Sequence, residues 1–207
     1  MLLSAPARLR PWFRSTPRYE PAIRSERVYD GKVADISFLD LMELRFVHHF
    51  RIQNVSMQAL RRAAEEARET FGEHPFARAG TTFRTDLRKI YAEVATEVGD
   101  KHLMSLAGDK QFVLDVIEQD LARGVDFDPH TCIATAWKPQ PDAFQGIVLD
   151  PRMNFGRPSF QNSGLAVEAI YDAWLAEEGD EGLVARWHDI EPVDVRQAVQ
   201  FKQRFLH

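Results

Sequence analysis

The sequence is poor in the residues and apolar runs on which several classes of protein depend. Among its 207 residues it has one cysteine, Cys132, which excludes an internal disulfide framework and a zinc site built from cysteines. Its apolar runs are far shorter than the roughly 20 residues of a membrane-spanning helix, and its N-terminus lacks the sustained apolar core of a signal peptide. These absences predict a cytoplasmic protein that does not enter a membrane.

Residue patterns typical of enzymes are scarce as well. Cys132 has no nearby histidine in a nucleophile motif, and the sequence has no glycine-rich phosphate-binding loop. The adjacent His48 and His49 cannot both reach one metal ion from a helix, because neighbouring side chains point about 100° apart. Residues 126–130 alternate acidic side chains with a histidine, but Pro129 interrupts them. We predict a protein that is not an enzyme and needs no cofactor or metal; a metal-dependent enzyme based on residues 126–130 is an alternative.

The charge of the chain is unevenly distributed. The formal net charge is −5, which argues against non-specific binding of nucleic acid by the whole surface. Residues 1–27 nevertheless contain six arginines and two glutamates, a balance of +4, whereas residues 147–207 contain six basic and ten acidic side chains, a balance of −4. An acidic body with a basic arm is compatible with one polyanionic and one basic partner.

Residues 1–27 form the basic arm. Prolines at positions 6, 11, 17 and 21 restrict its backbone, so the arm has room for one short helix between residues 7 and 15. Its arginines are interleaved with Trp12 and Phe13, and guanidinium groups pair well with the phosphates of a nucleic acid. The arm residues that we predict to contact DNA are Arg8, Arg10 and Arg14. A mobile, solvated terminus is the alternative.

Residues 28–138 combine helical patterns with short extended segments. Ser37 and Asp40 form the pattern of a capping box that begins a first helix, and Ser56 can cap a second. We further expect a hairpin or irregular strand pair over residues 81–94, a third helix over 108–124 and a strand over 131–137. Two prolines then predict a linker at residues 139–146.

Residues 147–207 predict a small domain of three helices behind a short β-hairpin. Two extended pieces, residues 147–149 and 155–160, precede a helix whose apolar side chains, from Val167 to Leu175, have the spacing of one buried face. Two shorter helical patterns follow and are joined by a tight turn, as in a DNA-binding helix-turn-helix.

The outer face of the last predicted helix offers a second set of candidate DNA contacts. Glutamine and arginine side chains can read the edges of adenine and guanine in the major groove. The residues that we predict to do so are Arg196, Gln197, Gln200 and Arg204. A solvated helix surface, a dimer contact or a protein-docking contact are the alternatives.

The motifs of residues 147–205 resemble a family of small bacterial helix-turn-helix domains, the VapB-like antitoxins of type II toxin–antitoxin pairs. The pattern is a short strand that ends in Asp-Pro, a Gly-Arg-Pro turn, a turn of small residues and three helices. The positions that match it are Asp150, Pro151, Gly156, Arg157, Pro158, Gly164, Asp194 and Ala198.

A second segment, residues 27–71, is similar to the helical part that follows the wing of MerR-type winged helices. This resemblance implies that residues 28–138 form a MerR-like helical and β domain and that the arm is the remnant of a helix-turn-helix, either truncated or missing its start. The fold that we expect is mainly α with small β elements, with a winged-helix-like N-terminal half and a C-terminal helix-turn-helix domain.

The resemblance implies that the protein is an antitoxin. Such a protein binds and silences a toxin, here expected to be a PIN-domain-like ribonuclease, and represses its own operon by binding operator DNA as a homodimer. The basic arm could instead pair with the carboxylates that hold Mg²⁺ in the nuclease. Which segment contacts the toxin stays open at this point, and a MerR-like transcriptional regulator without a toxin partner is the alternative.

Overall fold

The computed structural model describes residues 10–25, 28–29, 32–33, 36–78, 81–108 and 122–205. The described residues are mainly helical and form three two-stranded sheets. This confirms the predicted fold class, mainly α with small β elements. Arg8 and most of the helix predicted over residues 108–124 lie outside the described residues. No helix within the described ranges combines the length and the apolar character that crossing a bilayer requires.

The chain divides into two compact units. The first comprises residues 1–122 and 127–134, and the second comprises residues 123–126 and 135–207. The division differs from the predicted linker at residues 139–146. Phe144, inside that stretch, is 3% exposed and belongs to the core of the second unit, so the prolines mark a turn within this unit.

The described residues of the first unit form short β elements followed by four helices. A 3-10 turn at Arg10–Phe13 precedes β1 (Val28–Tyr29) and β2 (Lys32–Val33), which pair antiparallel. The helices are α1 (Phe38–Ile52), α2 (Met57–Phe71), α3 (Thr81–Val98) and α4 (Lys101–Gly108), with a 3-10 turn at Pro75–Ala77 between α2 and α3.

Local capping explains where α1 and α2 begin. The Ser37 hydroxyl accepts a hydrogen bond from the Asp40 N–H, and the Asp40 carboxylate accepts one from the Ser37 N–H, which completes the predicted capping box. Ser56 accepts a hydrogen bond from the Ala59 N–H in the same way. Both helix starts are therefore confirmed as predicted from the sequence.

The prediction of a hairpin over residues 81–94 is wrong, because this segment is part of α3. Leu87, Tyr91 and Val94 follow the spacing of one helical face and are buried in the core of the first unit. Threonines and a phenylalanine at the start of the segment favour strands locally. Burial of the apolar face against α2 outweighs this local preference.

The second unit has the predicted order of a hairpin followed by three helices. β3 (Val125–Phe127) pairs with β4 (Ala134–Trp137), and the division between the units runs through this hairpin. β5 (Ile147–Val148) pairs antiparallel with β6 (Ser159–Phe160), with Ile147 opposite Phe160. The helices are α5 (Val167–Ala176), α6 (Glu181–His188) and α7 (Pro192–Phe205). Their shared core contains Phe144, Ile147, Phe160, Val167, Ile170, Val184, Ala185, Val195, Ala198 and Phe201.

Candidate protein-binding surface

The turn between α6 and α7 is short and rigidly held. Asp189 ends α6 in the left-handed conformation, with φ 52° and ψ 49°, and its N–H donates to the Ala185 carbonyl. The Ile190 N–H donates to the same carbonyl at 3.1 Å, and Ile190 packs against the core of the second unit. Pro192 begins α7, where its missing N–H costs no hydrogen bond. The turn thus presents its remaining side chains in a defined geometry.

Two large apolar side chains flank this turn and face solvent. Trp187 is 63% exposed in the last turn of α6, and Val193 is 50% exposed in the first turn of α7. Beside them, an open depression of about 350 Å³ is lined by residues of the turn and of the loop after β6. We call this region the turn surface, and define it as Asn162, Ser163, Trp187, Asp189, Ile190, Glu191, Val193 and Asp194.

The turn surface is acidic. Asp189, Glu191 and Asp194 line it or border it, and none of the three forms an ion pair with another described residue. The loop after β6, Gln161 to Gly164, adds no basic side chain. Carboxylates without a basic partner attract a cationic surface and repel phosphate. The turn surface is therefore suited to a basic protein partner and unsuited to nucleic acid.

The four candidate DNA contacts on α7 differ in how accessible their side chains are to a partner. Arg196 donates to the Glu181 carboxylate from Nε at 3.2 Å and from Nη2 at 2.9 Å, and this hydrogen-bonded pairing raises the pKa of Arg196. Gln197 is half-buried, and its Oε1 has no hydrogen-bond partner within the described chain. Gln200 and Arg204 are exposed, and the Arg204 guanidinium lies 5.5 Å from the centre of the Phe205 ring. Gln200 and Arg204 are thus the more accessible pair.

The described part of the basic arm is packed onto the first unit. Trp12 and Phe13 are 9% and 7% exposed, so these aromatic side chains are core residues and cannot stack on a nucleic acid. The Ile23 N–H donates to the Trp12 carbonyl at 3.0 Å, and Arg61 donates to the Pro11 carbonyl at 2.8 Å. For residues 10–25 the alternative of a mobile terminus is wrong. Arg14 is exposed.

Arg10 is the first residue of the 3-10 turn Arg10–Phe13. This turn is the short helical piece expected between residues 7 and 15. Arg10 and Arg14 are therefore the described members of the three arm arginines that we predict to contact DNA.

The loop that contains the Gly-Arg-Pro turn has an architectural role. Asp150 is buried and accepts hydrogen bonds from the Arg152 N–H, Nε and Nη2, and these bonds hold the pKa of Asp150 below its usual value. Asn154 donates to the Ser159 hydroxyl at 2.8 Å. Phe155 is 97% exposed in the left-handed region, with φ 58°. The loop is held by its polar contacts, with Phe155 outside the core.

Reasoning from the sequence did not identify Trp187 as a surface residue. Its spacing from Leu183 and Val184 indicates a core position, but the inner face of α6 is formed by Val184 and Ala185. No local signal could have revealed its exposure, because the packing of α6 against α5 and α7 decides which of its faces is buried.

The first unit contains a buried polar cluster that the sequence did not indicate. Asp40 and Glu43 lie on α1, and His74 precedes the 3-10 turn Pro75–Ala77. One side-chain oxygen or nitrogen from each of them lies within 4.8 Å of the others. Among the described residues, these three form the group whose side-chain donors are close enough together to hold a metal ion.

The comparisons with known proteins bear on the fold. Residues 147–201 match the model of a family described as protein of unknown function DUF433. A crystal structure of Rv2018 from Mycobacterium tuberculosis is similar to 86% of this chain and 85% of its own, with a TM-score of 0.62 and 21% sequence identity. No curated protein sequence matches the chain. The chain is therefore similar in fold to Rv2018 over most of its length and carries a DUF433-like segment in its second unit.

Proposed function

We propose that this protein is a cytoplasmic antitoxin that binds and neutralises a PIN-domain-like ribonuclease toxin and represses its own operon as a DNA-bound homodimer. The observation that carries the proposal is the segment that joins α6 to α7, where the exposed Trp187 is followed within seven residues by the carboxylates of Asp189, Glu191 and Asp194. The VapB-like motifs of residues 147–205 support the same function.

An exposed tryptophan next to a rigid turn favours a protein partner. A tryptophan side chain can bury roughly 150–250 Å² of surface, and tryptophan is enriched among the residues that dominate binding energy. The Trp187 side chain contributes little of this area to the core, because 63% of its surface faces solvent. The left-handed Asp189 and the half-buried Ile190 hold the turn in place, so little conformational entropy is lost when a partner binds.

The charge of the turn surface suits a ribonuclease as that partner. A protein that binds RNA needs a basic surface to neutralise the phosphates. An acidic patch is complementary to such a surface and increases the association rate at low salt. We therefore place the toxin at the turn surface of the second unit.

Operator binding is assigned to residues away from the turn surface. Gln200 and Arg204 are exposed on the second half of α7, and Arg14 is exposed on the first unit. Arg196 would have to exchange Glu181 for a base or a phosphate. The proposal therefore keeps Arg8, Arg10 and Arg14 as backbone contacts and gives Gln200 and Arg204 priority among the contacts from α7.

The test of this function is co-expression with the product of the adjacent gene. We expect that product to be toxic alone and to form a tight 1:1 complex with this chain, as measured by light scattering after gel filtration. Trp187→Ala is expected to weaken the complex by about 30-fold or more, the effect of losing about 2 kcal/mol at a central contact.

The matched control is Phe155→Ala, which removes another exposed aromatic side chain outside the turn surface. This variant is expected to bind as the wild type does. A neighbour that is neither toxic alone nor retained on the column would exclude the function. A complex that Trp187→Ala and Phe155→Ala weaken equally would move the toxin away from the turn surface.

A further inference from the structure

Asp40, Glu43 and His74 are brought together by local structure and by packing. Asp40 and Glu43 are three residues apart on α1, so their side chains share one face of the helix. The 3-10 turn Pro75–Ala77 is fixed against that face, because the rings of Phe46 and Phe76 stack with centroids 4.3 Å apart. His74 stands just before this turn in the left-handed conformation, with φ 52°. Its Nδ1 lies 3.6 Å from Glu43 Oε2.

These distances are close to those of a coordination sphere. The three candidate donor atoms lie within 4.8 Å of one another. Donors that bind one transition-metal ion at about 2.0–2.2 Å are themselves about 3–4 Å apart. Small rotations of the side chains would therefore bring the three donors onto one ion.

The second observation is a carboxylate oxygen that lacks a donor. Asp40 is fully buried, and its Oδ2 accepts hydrogen bonds from the Ser25 hydroxyl at 2.7 Å and from the Ser37 N–H at 3.0 Å. Its Oδ1 is also buried and has no hydrogen-bond partner within the described chain. A buried carboxylate oxygen without a donor is costly, and a bound cation would satisfy it. The contacts to Oδ2 have the form of an outer shell that orients a metal ligand.

Arg68 is a nearby cation, but its side chain makes its described contacts elsewhere and does not take the place of a bound ion. Its Nη2 donates to the carbonyls of Pro21 and Ala22 at 2.7 and 2.8 Å, and no described ion pair joins it to either carboxylate. Two carboxyl groups thus share a buried site that no described lysine or arginine contacts directly.

We propose that Asp40, Glu43 and His74 bind one divalent first-row transition-metal ion of the Zn²⁺ or Mn²⁺ class. One imidazole with two carboxylates is a nitrogen and oxygen donor set that suits these ions. The ion joins the start of α1 to the turn that follows α2, so its role is to stabilise the first unit. The site is independent of the proposed antitoxin function, because the turn surface belongs to the second unit.

The test measures metal binding by the full chain. The protein is stripped with a chelator and dialysed against Zn²⁺ or Mn²⁺, and the bound ion is counted by elemental analysis together with the melting temperature. We expect about one ion per chain and a melting temperature that rises with the concentration of free ion. Glu43→Gln and His74→Asn remove one ligand each, and asparagine tolerates the left-handed backbone of His74. Each variant is expected to bind at least 10-fold more weakly.

Two further variants distinguish the loss of this site from loss of folding and from metal binding at the protein surface. Ser25→Ala keeps the three ligands but removes a donor to Asp40, and we expect about 10-fold weaker binding. His102→Asn removes an exposed histidine of α4 and is expected to bind as the wild type does. The proposal is overturned if the folded wild type binds neither ion stoichiometrically. It is also overturned if His102→Asn loses the ion while Ser25→Ala and the ligand variants that fold retain it.

Discussion

At the scale of single residues, buried carboxylates of the first unit hold helix ends in place. Asp100 is 9% exposed, and its Oδ1 accepts a hydrogen bond from the Leu103 N–H at 2.9 Å, which caps α4. Its Oδ2 accepts a hydrogen bond from the Ser56 N–H at 2.9 Å, at the start of α2. One side chain thus satisfies donors at the beginning of two helices.

The stability of the protein is expected to depend on the charge of Asp100. Burial by itself raises the pKa of Asp100, but the hydrogen bonds from Leu103 and Ser56 outweigh it and lower the pKa below its usual value. Because the pKa is lower in the folded state, the contribution is present at neutral pH and is lost as the pH falls below about 4, where the unfolded chain begins to bind the proton. Asp100→Ala is expected to lower the free energy of unfolding by about 1–3 kcal/mol at pH 7.

Urea unfolding between pH 7 and pH 3 measures this effect. The difference in unfolding free energy between the wild type and Asp100→Ala should shrink as the pH falls. Glu93→Ala, on the exposed side of α3, is the control and should stay within about 0.5 kcal/mol of the wild type. A difference that grows at low pH would contradict the assigned direction of the pKa.

At the scale of secondary-structure elements, α1 and α3 differ in how far the local sequence decides them. The start of α1 rests on hydrogen bonds between Ser37 and Asp40, which are three residues apart and visible as a pattern. The start of α3, at Thr81, has residues that favour strands. Its helical state depends on the burial of Leu87, Tyr91 and Val94.

The packing of α3 is tested by truncating its inner face. Leu87 is fully buried, and Leu87→Ala should lower the free energy of unfolding by about 2–5 kcal/mol, through lost burial and the cavity left behind. Thr96→Ala changes an exposed position of the same helix and should shift it by no more than about 0.5 kcal/mol. Equal effects of the two substitutions, measured by urea unfolding, would contradict the helical placement of this segment.

At the scale of the whole molecule, the distribution of charge governs the expected partners. The net charge of −5 and the acidic turn surface disfavour nucleic acid over much of the surface. The proposed binding to operator DNA must therefore depend on a few local arginines. It should also be sensitive to salt, because each phosphate neutralised by a basic side chain releases counterions.

The arm arginines provide the test of operator binding. Arg10→Ala combined with Arg14→Ala should weaken binding to the DNA upstream of the gene and reduce the slope of log affinity against log salt by about 2, one for each lost phosphate contact. Arg186→Ala removes an exposed arginine of α6 and serves as the control. Affinity that neither the double substitution nor added salt changes would exclude the arm as a phosphate contact.

The sequence by itself determined the mainly helical fold class, the starts of α1 and α2 and the order of a hairpin and three helices in the second unit. These features follow from neighbouring residues, because capping bonds and apolar periodicity act within one or two helical turns. Only the tertiary structure decided that the α3 segment is helical, that Trp12 is buried and that Trp187 is exposed. It alone also joined His74 to Asp40 and Glu43. Contacts between residues far apart in the chain arise from the packing of whole elements, and no local pattern encodes them.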